Sequence, residues 1–332
     1  MLGSHRATLV VPGLFLVLAT ACRSKTEPST DAASTGTRTH EAPADAADQS
    51  GRSASSPLVV HVAGKERIVL VHTPAGGAHG PRPLVLNLHG SGGTAAGQEA
   101  FAGMDSYADA HAFVVAYPQA DIPLRDGFAW NIPGQPLRSG TPVPSDASND
   151  VDFIQTAITT LGGLYDIDPK RVYLTGHSGG ARMVSQLACE LPTRLAGIAP
   201  VDGVRFPAPC KIPRPTPVIA FHGTADATNP YDGGSEAPWT YGVESAVTRW
   251  GVNDGCAPSA ATSRPAPGVV LTNYEACAEG AGVKLYAVDG MGHEWPGGPP
   301  VTPALAARLG AQSNAINANA LMWEFFEAHR AP

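Results

Sequence analysis

The fold is decided by one short stretch near the middle of the chain, Arg171-Val-Tyr-Leu-Thr-Gly-His-Ser-Gly-Gly180. Its first five residues are typical of a short buried strand, and Ala181 to Cys189 are typical of a helix. Between them stands Ser178 in the spacing Gly-x-Ser-x-Gly, where small neighbours permit a sharp turn from strand to helix. Such a turn exposes the serine hydroxyl beside the N–H groups that begin the helix. We therefore predict that Ser178 is a nucleophile.

A nucleophilic serine needs a base and an orienting acid, and two later strand ends supply candidates. Thr216 to Phe221 predicts a strand that leads to Asp226, and Val283 to Val288 predicts a strand that leads to His293. Open α/β sheets carry their chemistry just past the carboxyl ends of strands. We predict His293 as the base and Asp226 as the acid. Asp202 is the alternative acid, but the Asp226 loop directly precedes the strand that leads to His293.

The negative charge that develops during attack needs two backbone donors. The N–H of Gly179, the residue after the nucleophile, is expected to supply one of them. Pro83 to Leu88 predicts a central strand, and the small-residue loop His89-Gly-Ser-Gly-Gly93 follows it. We assign the second donor to the N–H of Ser91 in this loop, with Gly90 as the alternative.

The order of elements predicts an α/β fold. A hairpin near residue 58 is followed by strands that alternate with helices, a pattern that gives a doubly wound, mostly parallel sheet with helices on both faces. The clearest helices are Asp150–Leu164, with Ser148 or Asn149 as its cap, and Asn314–His329.

Two segments are candidates for the walls of a substrate cleft. The stretch Asp121–Ser148 is rich in Pro and Gly and is too long for an idle connection, and Tyr231–Trp239 is a second candidate. Trp130 and Trp295 could stack on a substrate ring, or they could brace loops. His177 is a further cleft candidate, although histidines on strand-end loops more often hold backbone shape.

Several motifs taken together resemble one family, the polyhydroxybutyrate depolymerase-like esterases, which are grouped with bacterial feruloyl and acetylxylan esterases. The resemblance extends from Pro57 to Phe326. It implies an α/β-hydrolase fold, ester substrates and the same three catalytic positions. Gly179 stands where relatives often carry Asn or Ala, which bears on substrate fit rather than on catalysis. The motifs are Leu88-His-Gly-Ser-Gly-Gly-Thr94, Trp130-Asn131, Asp150-Val-Asp-Phe-Ile154, Gly176-His-Ser-Gly-Gly180, His222-Gly-Thr-Ala-Asp226 and Gly292-His-Glu-Trp-Pro-Gly297.

The start of the chain predicts export. An apolar run from Leu9 to Leu18 precedes Ala19-Thr-Ala21, a small-residue cleavage site, so we predict a signal peptide over residues 1–21. The mature protein would be extracellular or on the surface of the cell envelope. Cys22 directly follows the cleavage point, as in a bacterial lipoprotein, and a lipid anchor and free secretion are both open.

The rest of the chain divides into a tether and one catalytic domain. Residues 22–56 are rich in Ser, Thr, Ala, Asp and Pro, a composition that cannot bury enough apolar surface to fold. Residues 57–332 have the length of a single α/β enzyme domain.

Five cysteines are present, and four of them lie beyond Cys22. An even number in an exported protein predicts disulfides, and three pairings are possible. We expect the two local pairs, Cys189–Cys210 and Cys256–Cys277, because short separations cost little loop-closure entropy. The cysteines lack the spacing of a zinc site, so no metal is predicted.

The formal charge of −7 argues against nucleic acid as a partner, because nucleic-acid binding requires a basic surface. Gln98 stands where a phosphate-binding P-loop needs lysine, and we predict no cofactor. The membrane is a partner only through a lipid on Cys22, and we predict a monomer. The predicted function is that of a serine carboxylesterase acting on polyester oligomers or acylated polysaccharide. The alternative is a catalytically silent surface-binding lipoprotein on the same fold.

Overall fold

A computed structural model describes residues 54–75, 80–137, 141–210 and 212–331. The predicted signal peptide, Cys22 and most of the predicted tether lie outside these residues. The described chain begins with a strand at Ala54, three residues before the predicted domain start at Pro57. In chain order the strands are β1 (Ala54–Val62), β2 (Lys65–Thr73), β3 (Arg82–Leu88), β4 (Val114–Pro118), β5 (Ile122–Leu124), β6 (Gly127–Ala129), β7 (Ile167–His177), β8 (Gly197–Val201), β9 (Val218–Gly223), β10 (Ala261–Ala266), β11 (Val269–Tyr274) and β12 (Val283–Val288).

Ten of these strands form one sheet in the order β1-β2-β4-β3-β7-β8-β9-β12-β11-β10, and β5 and β6 form a separate hairpin. The six central strands, from β4 to β12, run parallel to one another. Antiparallel strands extend this centre on both sides, β2 and β1 on one and β11 and β10 on the other. The carboxyl ends of the central strands therefore meet at one edge.

Helices cover both faces of the sheet, which confirms the predicted doubly wound arrangement. Leu84 and Leu86 of β3 belong to one apolar cluster, which also contains side chains of the third, fourth and fifth helices. Val85 belongs to a second cluster, which contains side chains of the first, second and seventh helices. Successive side chains of a strand point to opposite faces, so one strand contributes to both layers. The helices are α1 (Ala95–Ala102), α2 (Asp105–His111), α3 (Asp150–Leu164), α4 (Gly179–Glu190), α5 (Val243–Asn253), α6 (Pro303–Leu309) and α7 (Ala318–Glu327).

The two helices that the sequence marks most clearly are both present, one with changed bounds. α3 has the predicted bounds, and the Asn149 side chain caps it by accepting from the N–H groups of Val151 and Asp152. The last helix runs from Ala318 to Glu327 instead of from Asn314 to His329. Asn317 is its cap and accepts from the Ala320 N–H, so the residues before it lie outside the helix.

The two outer strands of the sheet are both members of hairpins, and each contains a proline. Pro57 lies in β1 and Pro265 lies in β10. The side chains of β10 are largely exposed. The pairing of β10 with β11 is irregular between Ser263 and Ala266. Proline lacks a backbone N–H, so it is tolerated at a sheet edge and not in the centre.

Both predicted disulfides are present in the structure. Cys189–Cys210 joins the end of α4 to the segment after β8, and Cys256–Cys277 joins the residues after α5 to those after β11. In the part of the chain that the structure describes, no helix is long and apolar enough to cross a bilayer.

Candidate active site

Ser178 occupies the turn between β7 and α4, as the sequence predicts. Its backbone has φ 57° and ψ −114°, a conformation that residues with side chains rarely adopt. The Ser178 N–H donates to the carbonyl of Val201 at 2.9 Å, and its carbonyl accepts from Arg182 at 3.1 Å. The turn is thus fixed between the end of β8 and the first turn of α4.

Glycines surround this turn because neighbouring backbone leaves no room for side chains. A Cβ on Gly180 would lie 2.2 Å from the Leu88 carbonyl oxygen, and one on Gly203 would lie 2.5 Å from the Ser178 carbonyl oxygen. Real Cβ atoms do not approach backbone oxygen this closely, so the serine turn, β3 and the loop after β8 can pack together only without side chains at these positions.

The predicted acid and base are in direct contact. His293 Nδ1 donates to Asp226 Oδ2 at 2.7 Å, and both side chains are buried. The other carboxylate oxygen, Oδ1, accepts from the backbone N–H groups of Thr228 and Asn229 at 2.7 and 2.8 Å. With Nδ1 engaged in this way, Nε2 is the nitrogen of His293 that remains to take a proton.

The environment tunes both members of this pair. Burial alone would raise the pKa of Asp226, but the hydrogen bonds from His222 and His293 hold it below its ordinary value. Burial lowers the pKa of His293, and the neighbouring His177 lowers it further. His293 is therefore neutral near pH 7, the form that can act as a base.

Asp202, the alternative acid, does not bond to His293. Its Oδ1 accepts from the Gly223 N–H at 3.0 Å, and its Oδ2 lies 3.7 Å from His177 Nε2. Burial raises the pKa of this carboxyl group. Asp202 therefore supports the loop behind the serine turn, while Asp226 is the carboxylate that holds the histidine.

The loop His89–Gly93 lies directly against the serine turn. A Cβ on Gly179 would be 3.1 Å from the backbone nitrogen of Ser91, which brings the two predicted oxyanion donors into one place. The His89 side chain fixes this loop with two hydrogen bonds: its Nδ1 donates to the Gly90 carbonyl and its Nε2 accepts from the Ala120 N–H.

Of the other histidines on strand ends, His89 and His222 bond to backbone carbonyls, and His222 Nε2 also lies 3.3 Å from Asp226 Oδ2. Burial lowers the pKa of His89 to about 4, which keeps it neutral and able to accept the Ala120 bond. The ring of His222 donates from Nε2 to the carbonyl of Asn229 at 2.9 Å. His177 is buried between Phe101 and His293, with ring centroids 4.8 and 4.4 Å away.

Ser178 and His293 open onto one cavity of about 650 Å³. Both segments predicted as cleft walls contribute to it, with Arg125 and Leu137 from one and Trp239 from the other. His177 also lines it. Pockets of this size hold small ligands or the end of a longer one.

Two predicted cleft residues do not line this cavity. Trp130 is buried and donates from its ring nitrogen to the His89 carbonyl, and Trp295 is buried and donates to Asn319 Oδ1. Both therefore brace loops, because each indole N–H is satisfied inside the protein. The aromatic rings of Phe101 and Trp239 belong to residues that do line the cavity; the sequence places Trp239 only within a broad segment and does not single out Phe101.

Two buried sets of side chains have the ligand types of a metal site, His177-Asp202-His293 and Asp202-His222-Asp226. Their ring nitrogens are already engaged in part, since His293 Nδ1 bonds Asp226 and His222 Nε2 bonds a backbone carbonyl. The absence of a metal and of a cofactor stays a prediction.

Known proteins resemble this chain in sequence and in fold. Residues 68–213 match the family described as Esterase PHB depolymerase. "Putative esterase NocK" of Nocardia uniformis subsp. tsuyamanensis is 35% identical over 277 residues, which cover 76% of this chain and 78% of that protein. Feruloyl esterase B of Piromyces equi is 30% identical over 68% of this chain, and the match spans 42% of its own length.

A solved structure supports the fold alone. The acetyl xylan esterase from Aspergillus awamori matches 79% of this chain and 94% of its own, with a TM-score of 0.55 and 17% identity. The class that the fold and the site define is an α/β-hydrolase. Within that class, the chain belongs to the PHB depolymerase esterase family, and it is a carboxylic ester hydrolase.

Proposed function

We propose that this protein is an exported serine carboxylesterase that works through an acyl-enzyme, with Ser178 as nucleophile, His293 as base and Asp226 as the orienting acid. The observation that carries the proposal is the 2.7 Å hydrogen bond between Asp226 and His293, on a histidine that opens onto the same cavity as Ser178. The strained turn at Ser178 supports it further.

Acylation begins when Ser178 Oγ attacks the carbonyl carbon of the ester and His293 Nε2 takes the hydroxyl proton. The carbonyl oxygen becomes an oxyanion, which the N–H groups of Gly179 and Ser91 stabilise. The bond to the alcohol then breaks, and His293 returns the proton to the departing oxygen. Asp226 stabilises the imidazolium throughout without taking its proton.

Deacylation repeats these steps with water. His293 removes a proton from a water molecule, which attacks the acyl-enzyme carbonyl, and the same two donors hold the second oxyanion. Collapse of this intermediate releases the carboxylic acid and returns the proton to Ser178. The loop His89–Gly93 and the serine turn, which carry the two backbone donors, therefore stabilise the oxyanion in both acylation and deacylation.

The proposed substrates are short ester oligomers or esters on polysaccharide side chains. Relatives are described as a feruloyl esterase, an acetylxylan esterase/xylanase and a poly(3-hydroxyalkanoate) depolymerase, and the chain spans 42%, 28% and 30% of their lengths. A cavity of about 650 Å³ suits a small acyl group or the end of an oligomer. The two disulfides support export, since such bonds persist in oxidising compartments.

Hydrolysis of 4-nitrophenyl acetate and butyrate tests the enzyme, and labelling with a fluorophosphonate tests the serine. We expect turnover of both esters and one labelled site, lost in Ser178→Ala with the fold intact by circular dichroism. Absence of turnover and of labelling in the folded wild type would instead favour a silent binding protein.

A further inference from the structure

The cavity carries an excess of positive charge although the whole protein is acidic. Three arginines line it, against two acidic residues, an excess of one positive formal charge. The formal charge of the chain is −7, so this concentration of cations at the reaction site runs against the overall balance. The arginines are Arg125, Arg182 and Arg308, and the acids are Asp126 and Glu236.

Arg182 is the cation nearest to the nucleophile along the chain. It lies one turn after Ser178 on α4, and its side chain is buried while still lining the cavity. Its Nη1 donates to Gln135 Oε1 at 3.3 Å, which holds the guanidinium at the cavity wall. A buried guanidinium has lost most of its hydration and interacts strongly with any anion that reaches it.

A second buried cation lies behind the same wall. The Arg205 guanidinium stacks on the Trp239 ring at 3.8 Å, and Trp239 lines the cavity. Within the described chain, Nε and Nη2 of Arg205 have no hydrogen-bond partner. Burial lowers the pKa of Arg205 to about 10, and repulsion from the nearby Arg182 contributes to this. An anion bound in the cavity would relieve that repulsion.

The other two arginines that line the cavity each belong to a segment whose backbone bonds to a loop of the proposed active site. Arg125 is at the tip of the β5–β6 hairpin with φ 56°, and its Cδ is 3.8 Å from where a Cβ on Gly92 would lie. The hairpin is bonded to the loop His89–Gly93 through the backbone of Phe128. Arg308 precedes Leu309, whose carbonyl accepts from the His293 N–H.

We propose that the cavity selects esters that carry a carboxylate group, with Arg182 as its main partner and Arg125 and Arg308 attracting it at the mouth. The inference rests on the proposed esterase function. It favours oligomers of hydroxy acids, which end in a free carboxylate, over neutral acetylated sugars.

Matched ester pairs test the preference directly. 4-Nitrophenyl adipate and 4-nitrophenyl hexanoate have acyl chains of equal length and differ by one terminal carboxylate. 3-Acetoxybenzoate and phenyl acetate place the same difference on the alcohol side. In at least one pair, we expect kcat/KM to be about tenfold or more higher for the anion, because a charge-assisted hydrogen bond is worth at least that factor. The preference should fall as NaCl screens the charges.

Substitutions assign the preference to named residues. Arg182→Gln is expected to abolish most of the anion preference while hydrolysis of the neutral ester continues, and Arg125→Gln to reduce it. Arg264→Gln is the matched control, since Arg264 is an exposed arginine on β10 that pairs with Asp289. It should leave the preference unchanged. Because Arg182 is buried, its variant is compared by thermal melting, and Arg125, which is exposed, gives a second test that does not depend on core packing.

Two failures can be told apart. Equal kcat/KM for the anionic and neutral member of both pairs, or a preference unaffected by both Arg182→Gln and Arg125→Gln, would overturn the carboxylate inference while leaving the esterase proposal intact. Loss of turnover for every ester would instead remove the function on which the inference rests.

Discussion

Ser178 holds a backbone conformation that costs on the order of 1–3 kcal/mol, and its neighbours are what maintain it. The Val201 carbonyl accepts its N–H, and Gly180 and Gly203 let β3 and the loop after β8 close around it. A strained residue at a cavity wall is kept in place by tight packing of backbone on backbone. The orientation of the hydroxyl therefore depends on positions that never touch a substrate.

The contacts of the two buried aspartates predict unequal effects of removing each charge. Asp226→Asn should lower kcat by about 10⁴-fold, because an amide favours the wrong tautomer of His293. Asp202→Asn should lower it by less than about tenfold, because Asp202 makes no bond to His293. Steady-state kinetics on 4-nitrophenyl butyrate measures both. The reverse ranking would show that Asp202 is the orienting acid.

The lowered pKa of His293 predicts the acid limit of the reaction. The base works only when neutral, so kcat/KM should stay at its plateau as pH falls, and should drop to half only below the ordinary histidine value of 6.5. Because His177 contributes to the lowering, His177→Asn should move that midpoint to higher pH. A pH profile of kcat/KM between pH 4 and 9 checks this. A wild-type midpoint above 6.5 would contradict it.

At the scale of elements, the sequence is informative wherever a segment is buried and regular. β7, β9, β12, α3 and α4 show clear periodicity or a cap, and Asp226 and His293 follow the ends of β9 and β12. The β5–β6 hairpin has strands of three residues, which are too short to display alternation. β10 is exposed and contains Pro265, so its pattern resembles a loop.

The walls of the cavity depend on tertiary packing in a way that local sequence does not reveal. Trp130 and Trp239 have the same chemistry and lie in similar Pro- and Gly-rich segments. Trp130 is buried and bonds to the His89 carbonyl, whereas Trp239 lines the cavity and stacks on Arg205. Which of them lines the cavity is decided by partners far away in the chain. The same holds for the three arginines that line it.

Each disulfide should stabilise the fold by reducing the conformational entropy of the unfolded chain. Both span a sequence separation of 21 residues, for which the loss of chain entropy predicts about 3 kcal/mol. The double variants Cys189→Ser/Cys210→Ser and Cys256→Ser/Cys277→Ser should each lower Tm by several degrees. Thermal melting measures the effect, and the wild type with reductant is the comparison. Unchanged melting in both variants would contradict the expectation.

At the scale of the whole molecule, the catalytic unit begins earlier than composition suggests. β1 pairs with β2 from Ala54 onward, and Ser55 Oγ lies within hydrogen-bonding distance of His72 Nδ1, at 3.2 Å. Composition alone places the start at Pro57, because Ser and Ala are common to tethers and to edge strands. The boundary is set by backbone pairing, which small polar residues satisfy as well as apolar ones.

Two truncations should therefore behave differently. Removing residues 1–50 should leave Tm and kcat/KM close to those of residues 22–332, the predicted mature protein, because the sheet remains whole. Removing residues 1–58 deletes half of β1 and exposes apolar surface of β2, so it should lower Tm. Melting curves and butyrate hydrolysis on both forms measure this. A lower Tm for the shorter deletion would show that residues before 51 contribute to folding.

The prolines in the two edge strands of the sheet, β1 and β10, bear on whether copies of the protein aggregate at high concentration. A strand from a second copy could extend the sheet only by matching a continuous row of donors and acceptors, and Pro57 and Pro265 each interrupt that row. The pairing of β10 with β11 also shifts register between Ser263 and Ala266, which makes this edge strand irregular. Neither edge strand then offers an uninterrupted template along which fibrils could grow.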